Sequence, residues 1–367
     1  MKIALILVNM FDGKHIDCMQ PIVFAILDKL SPGHDLMFYD ERVRALPDEI
    51  CADLIALSVD TSSAARAYRL ADQFRKEGKT VVMGGIHPSS APEEALEYAD
   101  AVVIGEAEDT WPHLLADLAR GRLQPVYQSK EPNLISFDVQ HPALQGYLPV
   151  GLMETSRGCI HRCDFCSVKV LYPGRVRRKL LAHVDEELSR SPDRLLFFVD
   201  DNLFSDRTYF LHITRLLRKH RKRWAAQVSL ELAQDEQLLR RAKQSGAVLL
   251  LIGLESLHDD ALKQMGKVQN RRVDLAETVR RIQRHGMLVY ATFVFGYDSD
   301  TPERVREVLR FGIEQGIAVV NFNPLQPMPR TAFDRRLRDQ GRLKSDHWWL
   351  DPRFHYGDMA FEPLQTS

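Results

Sequence analysis

Charge of one sign is the first thing this chain lacks. Its 367 residues carry 49 Lys and Arg against 50 Asp and Glu, a formal net charge of -1. That balance excludes a global field that would gather nucleic acid or an anionic membrane, so any such partner would need a local patch. Long apolar runs are missing too. The longest of note, 247–254, falls far short of the roughly 20 residues of a membrane span. The N-terminus has one Lys and a brief apolar stretch but no small-residue cleavage site, and reads as a first buried strand rather than a leader. The expectation is a cytoplasmic protein with no membrane span and no nucleic-acid partner. Cysteine is scarce: five in all, an odd number, with Cys159, Cys163 and Cys166 close together. A disulfide scaffold would be denser and more evenly spread, so a reducing compartment and a metal site fit better. Hydrophobic residues at 45% and charged residues at 27% set disorder and fibrous repeats aside.

At about 150 residues per domain the length suggests two domains. Short apolar runs at 2–8, 54–59, 80–83 and 101–104 read as buried strands, and Ala64, Ala67, Ala71 and Phe74 mark one face of a helix between two of them. Strand–helix alternation predicts an α/β fold: a doubly wound, Rossmann-like parallel sheet over 1–120, with ligands at the carboxyl ends of its strands. The stretch 121–150 holds Pro125, Pro132, Pro142 and Pro149 without periodicity and reads as a linker or wrapping segment. Alternation then resumes, with strands at 152–155, 195–199, 226–230, 249–253, 288–295 and 318–322 and helices such as 274–285 and 301–315. Six βα units over 151–330 predict a (βα)6 partial TIM barrel with its chemistry at the C-terminal strand ends. Residues 331–367 read as a tail packed on that barrel.

The strongest signal is Cys159-Ile-His-Arg-Cys163-Asp-Phe-Cys166, a C-x3-C-x2-C loop directly after the barrel's first strand. Three thiolates on a short loop can hold three irons of a 4Fe–4S cube and leave the fourth iron open to a ligand. Zinc would require a fourth ligand, and His161 lies too close in sequence to close such a ring. Three unliganded cysteines would have no packing rationale and would be prone to oxidation.

With this triplet the chain resembles the radical S-adenosylmethionine superfamily over 152–337. The resemblance implies that Phe165 packs near the adenine. It implies that Asp200, Asp201 and Asn202, at the second strand end, serve the methionine amino group. Ser229, Glu255 and Ser256, at later strand ends, are placed with the same cofactor, Glu255 at the ribose. Phe295 and Gly296 match the adenine-lining motif of the fifth strand. Singly these residues have plainer readings: Asp200 and Asp201 as helix caps, Glu255 as a dipole partner, Gly296 as a turn residue. The resemblance implies that an electron at low potential cleaves S-adenosylmethionine reductively, giving a 5′-deoxyadenosyl radical. It also implies a donor such as a flavodoxin or ferredoxin.

An α/β domain ahead of such a barrel resembles the cobalamin-binding domain of one branch of the superfamily. The matching residues are Ser58, Thr61 and Ser62, then Gly84, Gly85 and His87, then Gly105 and Glu106; the plainer reading of the Gly pair is an ordinary βα turn. The Asp-x-His-x-x-Gly pattern of histidine-ligated cobalamin is absent: Asp12 and His15 lack that spacing, so cobalamin is expected to bind without a histidine on cobalt. The implied activity is methylation of an unactivated carbon of a small-molecule or lipid-like substrate. The alternatives are a cobalamin-dependent radical cyclase or rearrangement enzyme, and a radical enzyme whose first domain no longer binds cobalamin. Lys169, Arg175, Arg177, Arg178 and Lys179 follow the cysteine loop and suit an anionic substrate or an electron donor. Trp348, Trp349 and His355 either close the active site or pack the tail.

Overall fold

The computed structural model describes residues 1–10, 18–130, 141–173, 175–355 and 357–364. Asp12 and His15 therefore lie outside the described residues. The chain forms two compact units: one built on its N-terminal part together with Trp349–Phe354, the other on Val150–Trp348 and the residues after Phe354.

The first unit holds strands β1 (Lys2–Leu7), β2 (Asp35–Asp40), β3 (Leu54–Ser58), β4 (Thr80–Gly84), β5 (Ala101–Ile104) and β6 (Val126–Gln128). They make one sheet in the order β2-β1-β3-β4-β5-β6, parallel throughout. The central strands are near-continuous apolar runs because helices cover both faces of such a sheet; Ile3, Ala4, Leu54, Ile55 and Val81 are fully buried. The helices are α1 (Ile22–Lys29), α2 (Ala64–Lys76), α3 (Ile86–Ser90), α4 (Pro92–Tyr98) and α5 (Ala107–Ala119). On α2, Ala64, Ala67, Ala71 and Phe74 are buried, at the spacing read from the sequence, with Tyr68 beside them. Two strands depart from that reading. β2 is a half-buried edge with weak alternation, and β6 lies inside the stretch expected to be a linker. Val102 N–H donates to Pro125 O, so the proline that suggested irregular chain also delivers the edge strand.

The second unit opens with β7 (Gly151–Met153), followed by β8 (Ser156–Arg157) and β9 (Arg177–Arg178), a short antiparallel pair. Strands β10 (Leu195–Phe198), β11 (Arg223–Gln227), β12 (Ala247–Glu255), β13 (Leu288–Phe295) and β14 (Val319–Pro324) join β7 in a parallel sheet, each strand beside its predecessor in sequence. The intervening helices are α6 (Val168–Leu171), α7 (Leu181–Arg190), α8 (Arg207–Lys219), α9 (Glu236–Gln244), α10 (Asp259–Gln264), α11 (Leu275–Arg284), α12 (Pro302–Glu314) and, after β14, α13 (Ala332–Asp339). Side-chain oxygens of Asp206, Asp235, Asp274, Thr301 and Thr331 accept first-turn N–H groups and start five of them, each cap stabilising by about 1 kcal/mol.

Strand alternation sorts this sheet into two faces. Phe198, Trp224, Ala226, Leu250, Ile252, Ala291 and Phe293 lie fully buried in a core with α8, α9, α11 and α12. The opposite face is only partly covered. Register places Leu152, Phe197, Ala225, Leu249 and Leu288 in one row across five strands. The next row is Gln227, Leu251, Tyr290 and Val319, and above it stand Gly253, Thr292 and Asn321. No charged residue occurs in these three rows. The tail divides: α13 packs its Phe333 and Leu337 with the second unit's Val294 and Leu325, whereas Trp349–Phe354 counts with the first unit, against the expectation of a tail wholly on the barrel. The reason is local: Trp349 stands edge-on to His87 and its indole N–H donates to Glu94 at 2.9 Å.

Candidate active site

The cysteine loop leaves the sheet after β7 and is held by polar contacts. Asp200, just past β10, accepts from Thr155 N–H at 2.9 Å and from the hydroxyls of Thr155 and Ser156 at 2.6 Å each. Asp201 accepts from Gly158 N–H at 2.7 Å. Arg157 forks onto both oxygens of Glu154 at 2.8 Å. Gly158 is obligatory: its φ is +93°, and a Cβ there would collide with Arg175 O. Lys169, one turn past Cys166, donates to Cys159 O at 2.5 Å. The two aspartates are thus spent inside the protein, positioning the loop from below.

Burial of Asp200 has a pH consequence. It pushes the carboxyl up, and the donors of Ser156 and Thr155 only partly offset it, leaving a pKa of about 6 against an ordinary 3.8. The folded state then binds more protons than the unfolded chain between those values, so this group's contribution to stability rises as pH falls from 7 towards 4. The difference corresponds to about 3 kcal/mol. Asp200→Asn is expected to flatten the pH dependence of the second unit's unfolding over that window. An unchanged profile in the variant would assign the dependence elsewhere.

All three loop cysteines are free and half-buried. Burial pushes the Cys163 thiol up, and takes that of Cys166 to about 11. Among the described residues no three His, Cys, Asp or Glu side chains converge on one point. A cube does not need them to, because each thiolate binds its own iron. Soft thiolate donors in a pinned loop suit iron–sulfur chemistry.

Beside the loop, neighbouring strand ends present polar atoms that the protein leaves unsatisfied. Asn202 Oδ1 accepts from Ser229 N–H at 3.0 Å and Phe204 N–H at 3.1 Å, which aims its amide. Asn202 Nδ2 and Ser229 Oγ are buried without a partner among the described residues, a state that costs about 1–3 kcal/mol each unless a ligand satisfies it. Glu255 ends β12 at φ +66°, in the left-handed region, and Lys267 Nζ lies 2.8 Å from its Oε1. Both keep little side-chain exposure. Burial disfavours the ammonium, but Glu255 outweighs it and holds Lys267 above its ordinary range. Thr292 Oγ1 stands 3.5 Å from the other Glu255 oxygen. Ser256 instead accepts from His258 N–H and stabilises the following turn. Phe295 stacks on Phe322. Gly296, at φ +128°, donates to Asp300 and sits against Leu325 and Met359. Phe165 packs on the cluster of Leu262, Met265 and Tyr297, and Asp164 accepts from the Tyr297 hydroxyl at 2.5 Å. Lys267 was the residue missed as a site member: it comes twelve positions after its partner, beyond a helix that sequence spacing does not bridge.

In the first unit the sequence-selected residues gather at the carboxyl ends of β3, β4 and β5. Ser58, Gly84, Gly85 and Gly105 line exposed or half-exposed backbone there, and Ile86 is left 42% exposed. Thr61 Oγ1 is buried without a partner among the described residues, beside half-buried Ser62. Glu106 is buried at the start of α5. A glycine-lined shelf with an exposed isoleucine and an orphaned hydroxyl suits a bulky, partly apolar ligand. His87 departs from its expected role as a pocket residue. It is fully buried, its Nε2 lying 2.9 Å from the Tyr68 hydroxyl and 3.1 Å from Glu94. Burial pushes the Glu94 carboxyl up, but the hydrogen bonds from His87, Tyr68 and Trp349 outweigh it and hold it at about 2. His87 therefore braces α3, α4 and Trp349 beneath the shelf. Gly85, at φ +108°, sets the shelf: a Cβ there would lie 2.7 Å from Val59 O. Gly85→Ala is expected to destabilise the first unit by about 1–3 kcal/mol, read from its thermal unfolding. Wild-type stability in that variant would show that the turn can shift.

The comparisons agree with this geometry. A B12 binding domain model matches residues 22–115, and a radical SAM superfamily model matches 153–312. Bacteriochlorophyllide d C-12(1)-methyltransferase of Chlorobaculum tepidum is 29% identical over 349 residues, spanning 91% of this chain and 75% of that protein. Bacteriochlorophyllide d C-8(2)-methyltransferase of the same organism is 28% identical, spanning 89% and 78%. The radical S-adenosylmethionine methyltransferase TsrM of Kitasatospora setae superposes with a TM-score of 0.76 at 18% identity, over 92% of this chain and 76% of that one. Triplet loop, partial barrel and glycine shelf coincide with the two matched models, and the chain belongs to the radical S-adenosylmethionine enzymes that carry a B12-binding domain.

Proposed function

We propose that this enzyme methylates an unactivated carbon of a largely apolar small molecule, using a 4Fe–4S cluster, S-adenosylmethionine and cobalamin. The observation that carries the reading is the pinned loop of Cys159, Cys163 and Cys166 beside two buried polar atoms without partners, Asn202 Nδ2 and Ser229 Oγ. When bound, the cluster supplies the low-potential electron and the open iron, and cobalamin a methyl carrier. The chain's own part is positional. Cys159, Cys163 and Cys166 would hold the cluster. Asn202 and Ser229 would hydrogen-bond the methionine end of S-adenosylmethionine, and Glu255, fixed by Lys267, its ribose. Phe165, Phe295 and Gly296 would support the adenine. Asp200, Asp201 and Ser256 act behind them, on the loop and turn. Ser58, Thr61, Ser62, Gly84, Gly85 and Gly105 would receive cobalamin, over His87 and Glu106.

The charge-free rows of Leu152, Phe197, Leu249, Leu251 and Tyr290 on the sheet's partly covered face favour a substrate with an apolar body. Gln227 and Asn321 would meet its neutral polar groups. The two chlorophyll-type relatives act on substrates of that character, which supports a ring-shaped or lipid-like molecule. The test is anaerobic turnover on such a panel with methyl-labelled S-adenosylmethionine. Label in the product, with S-adenosylhomocysteine and 5′-deoxyadenosine formed together, is the expected result. Product formed with 5′-deoxyadenosine and no S-adenosylhomocysteine would move the assignment to cyclisation or rearrangement. The electron donor this chemistry requires is the flavodoxin or ferredoxin type. Among the described residues no helix is long and apolar enough to cross a membrane, in keeping with a cytoplasmic site of action.

A further inference from the structure

We infer that Ser89 is a positioning residue for cobalamin: its hydroxyl clasps the glycine turns after β4 and β5 and so sets the width of the seat they form. The inference rests on the cobalamin reading proposed above. Ser89 lies on α3 and is buried. Its hydroxyl donates to Gly85 O at 2.7 Å and accepts from Gly105 N–H at 2.9 Å. One side chain thus joins two turns whose strands are neighbours in the sheet. Both glycines stand at positive φ, +108° and +85°. A glycine has no side chain with which to hold a turn by packing, so its backbone hydrogen bonds must hold it.

The same turns spend their polar groups within the protein. Gly84 O accepts from Val59 N–H at 2.9 Å and His87 N–H donates to Val59 O at 3.1 Å, while Pro88 brings no N–H. Gly85 O and Gly105 N–H are both engaged by Ser89. A phosphate needs free N–H groups converging on it, and this loop directs two of them inward. What the shelf presents instead is bare glycine backbone and exposed Ile86, a surface that meets a ring by shape and apolar contact. Affinity at such a surface depends on how well the spacing of its two turns is set beforehand. Ser89 sets that spacing. Without its hydroxyl, Gly85 O keeps Ser89 N–H at 3.2 Å, whereas Gly105 N–H keeps no acceptor among the described residues, and the turn after β5 is released towards water.

The test titrates the intact chain with hydroxocobalamin and follows the visible spectrum. Ser89→Ala is expected to weaken binding about tenfold, the worth of one or two neutral hydrogen bonds. Ser89→Thr keeps the hydroxyl and is expected to stay within about threefold of wild type. In the ligand-free chain, deuterium exchange at the Gly105 amide is expected to quicken about tenfold in Ser89→Ala and to stay slow in Ser89→Thr. A role in stability alone would shift the unfolding temperature and leave the affinity of the folded chain where it was. Wild-type affinity in Ser89→Ala overturns the inference, as do equal losses in the Ala and Thr variants. Unchanged Gly105 exchange in Ser89→Ala overturns it as well. A wild-type chain that retains no hydroxocobalamin defeats the cobalamin reading itself, while exchange in the ligand-free chain still tells whether Ser89 holds the turn.

Discussion

Cys163→Ala abolishes S-adenosylmethionine cleavage: with dithionite as reductant, 5′-deoxyadenosine falls below detection and iron retained after reconstitution drops sharply. The expectation follows from how the loop holds its donors. Cys159, Cys163 and Cys166 lie on one segment pinned by Asp201, Lys169 and the β8–β9 pair, and no other cysteine of this unit can substitute. Cys18 is in the first unit, as is exposed Cys51. Metal binding to such a loop is also folding free energy for it, so loss of one thiolate both empties and loosens the site. The first unit has its own core around Ile3, Leu54, Trp111 and Leu114, and its unfolding transition should be unaltered. Persistent cleavage at wild-type iron content would remove the cluster assignment.

Lys267→Met is the second large effect, expected to destabilise the barrel unit by about 3–5 kcal/mol. Lys267 and Glu255 keep only 14% and 8% side-chain exposure, and their charges are 2.8 Å apart. Removing the cation leaves Glu255, among the described residues, with Thr292 at 3.5 Å as its remaining hydrogen-bond donor, a carboxylate stranded in low dielectric. Glu255 is also strained at φ +66°, so losing its partner frees the end of β12 and should lower S-adenosylmethionine cleavage as well. The double variant Lys267→Met with Glu255→Gln should lose less stability than the sum of the two single variants, because neither charge is then stranded. Additive losses in urea unfolding would show that the pair does not act as a unit.

Much of this was legible in the sequence, for identifiable reasons. Central parallel strands such as β1 and β3 are buried on both faces and announce themselves as apolar runs. The cysteine triplet is local, so its spacing survives folding intact. What was not legible depends on contacts between distant positions. β2 and β6 are edge strands, where burial on one side only leaves weak patterns. Lys267 gains its meaning only when the chain returns to Glu255 after α10. His87 sits in a loop motif that reads as ligand-facing, yet Tyr68 from α2 and Trp349 from the far C-terminal region enclose it. Asp200 and Asp201 end a strand where ligands gather, but both Asp200 oxygens are taken by Thr155 and Ser156, and one Asp201 oxygen by Gly158. Asn202, one position on, keeps the unpartnered atom.

Metal and cobalamin content of one anaerobic preparation tests the central claim most directly. The chain is reconstituted with iron and sulfide, incubated with hydroxocobalamin and desalted, and its cobalt and iron are then measured beside the visible spectrum. About four irons and about one cobalt per chain is the predicted result, with the iron tied to the three loop cysteines. Four irons without cobalt would contradict the account, leaving the glycine shelf of the first unit without the ligand on which methyl transfer depends.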